Sequence, residues 1–444
     1  MNSMGKTKLS DNETGYVEKG KVGNYRWVIC ALLFLATTIN YIDRQVIGLL
    51  KPTLEAQFNW TELDYGYIIM FFSASYAVGY VIFGSIIDRI GTKLGYSISV
   101  AVWSVAAVLH AAVRSTLGFG LVRGLLGLAE AGNFPAAVKA VAEWFPKRER
   151  ALATGIFNSG TSIGAVAAPL LVPWILGAYG WQEAFIITGA LGFVWLIFWW
   201  FLYEIPSRHK KLTPEEYDFI HIDNEPAVTE TAGSLNWSRL LQVRQTWVFI
   251  VGKVLTDPIW WFFLFWLPSY FATTFNLDLT KPSLPLAVVY TATTFGSIGG
   301  GYLSSHLIKR GWPVLKARKT TLLIVAFVVL PIMTARYATD IWVAVGIISL
   351  AAAAHQAWST NIFTIVSDIV PRRAVSSVVG IGGMSGSVAS TFFPLFVGWL
   401  LNYYDLLGNI GAGYNILFII CGFAYLLAWL IIHLLTKRMK PMVL

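Results

Sequence analysis

The chain of 444 residues is 56% hydrophobic, 15% aromatic and only 13% charged, with a mean hydropathy of +0.61, whereas soluble domains carry about 25% charged residues. This excludes a soluble globular protein and implies a polytopic membrane protein. The net charge of +9 is not gathered into a continuous basic face but falls between hydrophobic segments, as the positive-inside rule expects of cytoplasmic loops, so no nucleic-acid partner is implied.

Residues 1–24 form a polar N-tail without the apolar core and cleavage site of a secretory signal, so the first helix is expected to be retained. A span needs about 20 apolar residues. Twelve segments qualify: 25–50, 65–87, 95–114, 117–142, 151–175, 183–203, 245–271, 285–305, 319–337, 341–366, 374–401 and 413–435. An even number puts both ends on one side. Lys51, Arg114, Lys281 and Arg336 fall in the alternate loops and Arg44, Arg123, Lys139 and Lys253 inside spans; the other 25 of the 33 lysines and arginines mark the side of the termini as cytoplasmic. Residues 204–244 are the long polar connector between two sets of six spans, 25–203 and 245–436, and 437–444 are the C-tail. Within the connector, Thr213-Pro214-Glu215-Glu216 offers an N-cap, a proline at the first helical position and first-turn acids, which predicts a short helix.

The two sets repeat. At an offset of 225 residues, Pro146 falls on Pro371, Lys147-Arg148 on Arg372-Arg373, Gly155 on Gly380 and Pro169 on Pro394, which argues for duplicated six-helix bundles. Parallel repeats of this kind are one plan of secondary transporters. Cys30 and Cys421 lie in spans as packing residues; no disulfide, metal site or cofactor is implied.

Ionisable residues within spans are expensive and are expected to face protein or water. In span 1, Asp43 and Arg44 interrupt an otherwise apolar run and read as an ion pair. In span 2, Tyr76 and Tyr80 share a face, and the turn that follows runs Gly84-Ser85-Ile86-Ile87-Asp88-Arg89-Ile90-Gly91-Thr92-Lys93. Its glycines allow a tight turn and close helix contact, while Asp88 can cap a neighbouring helix and pair with a base, latching the cytoplasmic side. Gly84, Asp88, Arg89, Gly91 and Lys93 are therefore the candidate latch. In span 4, taken as one continuous helix, Arg123, Gly127 and Glu130 share a face. Counting about 1.5 Å per residue places Arg123 level with Asp43 and Glu130 roughly 10 Å deeper. A buried carboxylate near a movable base can be ionised beside it and protonated without it, since burial disfavours the charge and a base favours it. Asn158 and Thr161 in span 5, and His355, Gln356, Trp358 and Ser359 in span 10, are candidates for binding a polyhydroxylated ring. Lys253 and Asp257, four apart in span 7, read as a structural pair.

The turn from Gly84 to Lys93 closely resembles the signature of the major facilitator superfamily. Asn40-Tyr41-Ile42-Asp43-Arg44, the Arg123-to-Glu130 arrangement, Glu143-Trp144-Phe145-Pro146, Phe157-Asn158-Ser159-Gly160 and Trp181-Gln182 resemble its anion:cation symporter family, most of all bacterial hexuronate and sugar-acid permeases. This resemblance implies an all-α fold of two pseudo-symmetric six-helix bundles and a proton-coupled carrier of an organic anion, not an enzyme, in the bacterial inner membrane. It further implies that Asp43 and Glu130 are the protonatable acids, that Arg123 is the base exchanging between them, that Arg44 contacts the substrate carboxylate, and that Tyr41, Tyr76 and Thr161 lie near the ligand. The partners are then a hexuronate, protons and the lipid bilayer, and a monomer is expected because one chain encloses a pathway. The alternatives are a carrier of another carboxylate such as an aldonate or glucarate, a drug exporter, or a membrane-bound sensor on the same scaffold.

Overall fold

Apolar runs this long have no water in a bilayer to satisfy their backbone groups, so they close their hydrogen bonds within the segment as helix. The computed structural model describes residues 22–60, 62–223, 237–277 and 284–437, and its described residues are helical without a strand. Residues 1–21 of the N-tail, 224–236 of the connector, Lys281 and 438–444 of the C-tail lie outside the described residues.

Before the connector run α1 (Tyr25–Phe58), α2 (Glu62–Ile90), α3 (Thr92–Leu109), α4 (Thr116–Glu130), α5 (Asn133–Trp144), α6 (Lys147–Ala178) and α7 (Trp181–Leu202). The connector holds α8 (Pro214–Ile220) and α9 (Trp237–Gln242). After it come α10 (Arg244–Phe265), α11 (Leu267–Phe275), α12 (Leu284–Lys309), α13 (Val314–Val329), α14 (Ile341–Ile369), α15 (Val375–Leu406) and α16 (Ile410–Thr436). Among the described residues, ten helices are long and apolar enough to cross a bilayer. Outside that set stand α12, whose glycines, serines and threonines dilute its hydropathy, and the expected span 117–142. That span is two helices rather than one. Pro135 has no N–H to continue the ladder, and the chain turns at Ala131-Gly132 before α5 begins at Asn133. Asn133 secures the break by donating to Thr37 of α1 (3.2 Å) and accepting from the Tyr96 hydroxyl of α3.

Polarity is arranged inside out relative to a soluble protein. Phe201, Leu170, Phe295 and Trp399 point outward, 79%, 71%, 73% and 63% exposed, while Asn40, Arg123, Glu130, Lys139, Arg150 and Arg318 are buried. This is the distribution that lipid around the bundle and polar contacts within it would produce.

The face on which α1 begins and α16 ends is tied by ion pairs. Arg26 of α1 bridges Glu149 of α6 (2.8 Å) and Glu216 of α8 (3.0 Å). The Glu216 carboxylate also accepts from the backbone N–H groups of Tyr25 and Arg26 (3.1 Å each), so the connector helix caps α1. α8 itself starts as its sequence predicts: Thr213 accepts from the N–H of Glu216, and Pro214 opens the first turn. Asp368, at the end of α14, receives Arg318 of α13 (2.9 Å) and Arg150 of α6 (3.5 Å), joining helices from either side of the connector.

Two close helix crossings also join the halves of the chain. A Cβ at Gly84 would meet the Ser376 carbonyl of α15 at 2.6 Å and the Gly380 Cα at 3.2 Å. The counterpart 225 residues before Gly380 is Gly155 of α6, which packs on Ser297 and Ile298 of α12, as Gly301 does on Ala151.

Candidate functional site

Between the helices on either side of the connector lies a small cavity of about 80 Å³. Tyr41 and Arg44 of α1, Tyr76 and Tyr80 of α2, Phe134 of α5, and Asn158 and Thr161 of α6 form one wall. Lys253, Asp257, Trp260 and Trp261 of α10, His355, Gln356, Ser359 and Phe363 of α14, and Ser387 of α15 form the other. Of the nine candidate ligand-binding residues, eight line this space. Trp358 does not. It is fully buried and packs edge-on against Tyr425 of α16 at 5.4 Å. At 100° per residue, His355, Gln356 and Ser359 sweep one arc of α14, and Trp358 lies beyond its edge.

Arg44 does not pair with Asp43. Neighbours in a helix point about 100° apart, and Arg44 lies on the Asn40–Tyr41 side of α1. Its guanidinium crosses to α4, where Nε donates to Glu130 Oε2 (3.0 Å) and Nη2 lies 3.0 Å from the same oxygen as an ion pair, itself donating to Asn40 Oδ1 (3.4 Å). It rests over the rings of Tyr76 (4.5 Å), Tyr41 (4.7 Å) and Phe72 (5.2 Å), contacts that favour a cation electrostatically. Its side chain is 20% exposed, to the cavity, while that of Glu130 behind it is 0% exposed.

Arg123 is level with Asp43, as the residue count predicts, but makes no ion pair with it. It donates to the backbone carbonyls of Asp43 (3.5 Å) and Arg44, and also lies over the Phe72 ring, at 4.6 Å. Phe72 therefore carries two guanidinium groups, and Gly127 of α4 is what lets it approach, since a Cβ there would meet the Phe72 carbonyl at 2.5 Å. Among the described residues, the buried Asp43 carboxylate makes no ion pair, and it is turned toward the buried Thr188 hydroxyl of α7.

On the opposite wall, Lys253 and Asp257 do pair, at 2.7 Å, but in the lining of the cavity rather than within helix packing. The Lys253 ammonium lies over Phe363 (4.7 Å), which in turn stacks on Phe134 of α5 at 5.1 Å across the chain halves. Asn158 donates to Gln356 (2.9 Å) and to Ser297 (3.0 Å), a second bridge. His355 accepts or donates at Tyr425 (2.7 Å) and stacks flat on Trp260 at 5.2 Å. Phe72, Tyr80, Phe134, Trp260 and Phe363 complete the site. Only Tyr80 carries a signal in sequence, sharing a helical face with Tyr76.

The candidate latch lies between this cavity and the basic face. Asp88 accepts from the backbone N–H groups of Ser376 (3.3 Å) and Ser377 (2.6 Å) at the start of α15, and pairs with Lys139 of α5 (2.9 Å). A carboxylate at a helix N-terminus complements the partial positive charge there. Gly91 turns the chain at φ 86°, a conformation that glycine adopts without strain. Lys93 pairs with Glu204 (3.0 Å), and Arg89 is exposed.

The comparisons with known proteins agree with this architecture. The chain is 35% identical to the hexuronate transporter of Escherichia coli (strain K12) over 405 residues, 87% of this chain and 93% of that one. It is 34% identical to the galacturonate transporter of Dickeya chrysanthemi over 285 residues, 64% of this chain and 82% of the relative. Among solved structures, the proton:xylose symporter XylE superposes with a TM-score of 0.70 at 16% identity, covering 92% of this chain and 96% of that one. The fucose:proton symporter FucP of E. coli gives 0.69 at 14%, covering 93% and 100%. These two likenesses show the fold. Residues 33–394 match the Major Facilitator Superfamily itself, and the chain belongs to that family of multi-pass membrane transporters, which are not enzymes.

Proposed function

We propose that the protein takes up a sugar acid, a hexuronate such as glucuronate or galacturonate, together with protons. The observation that carries this reading is Arg44: a guanidinium on the cavity wall, held from behind by a carboxylate that the cavity does not reach. A guanidinium suits a carboxylate by its fork of donors, and the aromatic, amide and hydroxyl groups around it suit a polyhydroxylated ring. The sugar-acid transporters among its relatives support the same substrate class.

In the proposed cycle, a proton on Glu130 cancels the charge that holds Arg44, and Arg44 turns to the substrate. Burying a carboxylate as an ion with no base paired to it costs several kcal/mol, so in the proposed cycle Asp43 carries a proton while Arg123 rests on the backbone carbonyls beside it. Release of both protons draws Arg123 toward Asp43, returns Arg44 to Glu130 and frees the anion. Twelve spans in two six-helix bundles, residues 25–203 and 245–436, rock about the cavity. Both termini face the cytoplasm of a bacterial cell, and Asp88 latches that side of the inner membrane. One chain encloses the cavity, so the working unit is a monomer.

Uptake by the purified protein in liposomes tests this reading. Glucuronate, galacturonate, galactonate and glucarate are offered under an inward proton gradient. Gradient-dependent accumulation of a uronate is expected; no uptake of any of the four overturns it, and would leave room for a sensor on this scaffold.

A further inference from the structure

Resting on that reading, we infer that the Lys253–Asp257 pair makes the site select sugar acids with one carboxylate over those with two. Among the described residues, two cations, Arg44 and Lys253, line the cavity, and they are neutralised differently. Glu130 stands behind Arg44 with no side-chain exposure and is absent from the lining, so a bound proton can unmask Arg44 without Glu130 touching the ligand. Asp257 is itself part of the wall, its side chain 19% exposed, with Lys253 at 2.7 Å and 9% exposed. The far wall therefore presents an ion pair of zero net charge whose carboxylate is part of the lining.

The pair is not needed to join helices. Both residues lie on α10, four apart, and the facing helix α15 is cut back to glycine there: a Cβ at Gly386 would stand 2.5 Å from Asp257 Oδ2 and 3.1 Å from Lys253 Cβ. An acceptor beside a donor in this position suits the hydroxyl groups of a sugar, which both donate and accept. A second carboxylate would meet Asp257 as a like charge in a cavity where water screens little, and such a contact discriminates by repulsion.

The test is competition in liposomes containing the full-length protein. Galacturonate and galactarate, which differ in oxidation of the second end, compete for labelled galacturonate in counterflow. The expected result is that galactarate competes at least tenfold more weakly with the wild type. Asp257→Asn should then narrow that gap about tenfold, by removing the like charge and leaving Lys253 without its counter-charge, and Lys253→Met added to it, which leaves neither charge, should give a gap between those of the wild type and Asp257→Asn. Equal competition by both acids in the wild type would overturn the inference, as would an unchanged ratio in Asp257→Asn. The wild-type ratio is decisive even if a variant fails to insert. Absence of any sugar-acid transport would instead be the failure of the proposed function, a separate and recognisable outcome.

Discussion

Replacing Glu130 by glutamine keeps the side chain's shape and removes its charge, which isolates the step on which coupling rests. Arg44 Nε donates to one oxygen of Glu130 at 3.0 Å, and Nη2 lies at the same distance from that oxygen as an ion pair. Hydrogen bonds to a charged group contribute about 1.5–3 kcal/mol and neutral ones about 0.5–1.5. Glutamine should thus loosen Arg44 by roughly 1–2 kcal/mol, some five- to thirtyfold in its availability to an anion. The same change removes the proton site. One coupled proton sustains about tenfold accumulation per pH unit, since a unit is worth about 1.4 kcal/mol. In liposomes with a gradient of about two units, the wild type should therefore accumulate a uronate up to about a hundredfold per coupled proton, whereas Glu130→Gln, which leaves Arg44 free to bind and carry the anion whether or not Asp43 is protonated, should only equilibrate it. Counterflow exchange, which needs no net proton movement, should persist, with tighter apparent affinity. A variant that still concentrates substrate against a gradient, or that loses exchange and accumulation equally, refutes the coupling role.

Two further predictions address the scaffold. Asp88→Asn removes the charge that caps α15 and pairs with Lys139; weakening this contact by about 1–3 kcal/mol should shift the population away from the state closed at the basic face. Labelling of a cysteine placed behind that face should speed up accordingly, and an unchanged rate would exclude a latch. His209 in the connector is wedged between Tyr25 (4.3 Å) and Trp144 (5.3 Å), and burial pushes its pKa down despite a contact with the Leu202 carbonyl. A lowered folded-state value means that the unfolded chain takes up the proton first. Its contribution is therefore complete above the ordinary value of about 6.5 and declines as the pH falls below it. Thermal unfolding in detergent should show a midpoint that drops below that pH in the wild type and drops less in His209→Asn; equal drops would remove His209 from the account.

Much of this architecture is legible in the chain because a bilayer leaves few options. Long apolar runs must be helices, and Thr213-Pro214-Glu215-Glu216 announces α8 by its own chemistry. Charges buried in such runs point to the site, and eight of nine candidate ligand residues meet in one cavity. Partner choice is a different matter. Asp43 and Arg44 look like a pair when written side by side, yet helical rotation sends one toward α7 and the other to Glu130 on α4. Trp358 shares composition with its neighbours but not their arc of α14. Lys253 and Asp257 have the spacing of any surface pair, and nothing local says that the surface is a cavity wall. The break at Ala131-Gly132 combines a common glycine with a proline three residues on, a signal that hydropathy overrides.

The most direct test of the account is the affinity of purified protein for a uronate, measured by calorimetry in wild type and in Arg44→Ala, with the corresponding neutral sugar as a control. Truncating one partner of a desolvated charge pair costs about 2–5 kcal/mol, so uronate binding should weaken by at least about thirtyfold while the neutral sugar, bound weakly by both, is unaffected. Uronate affinity unchanged in Arg44→Ala would contradict the assignment of this guanidinium as the anion's receptor.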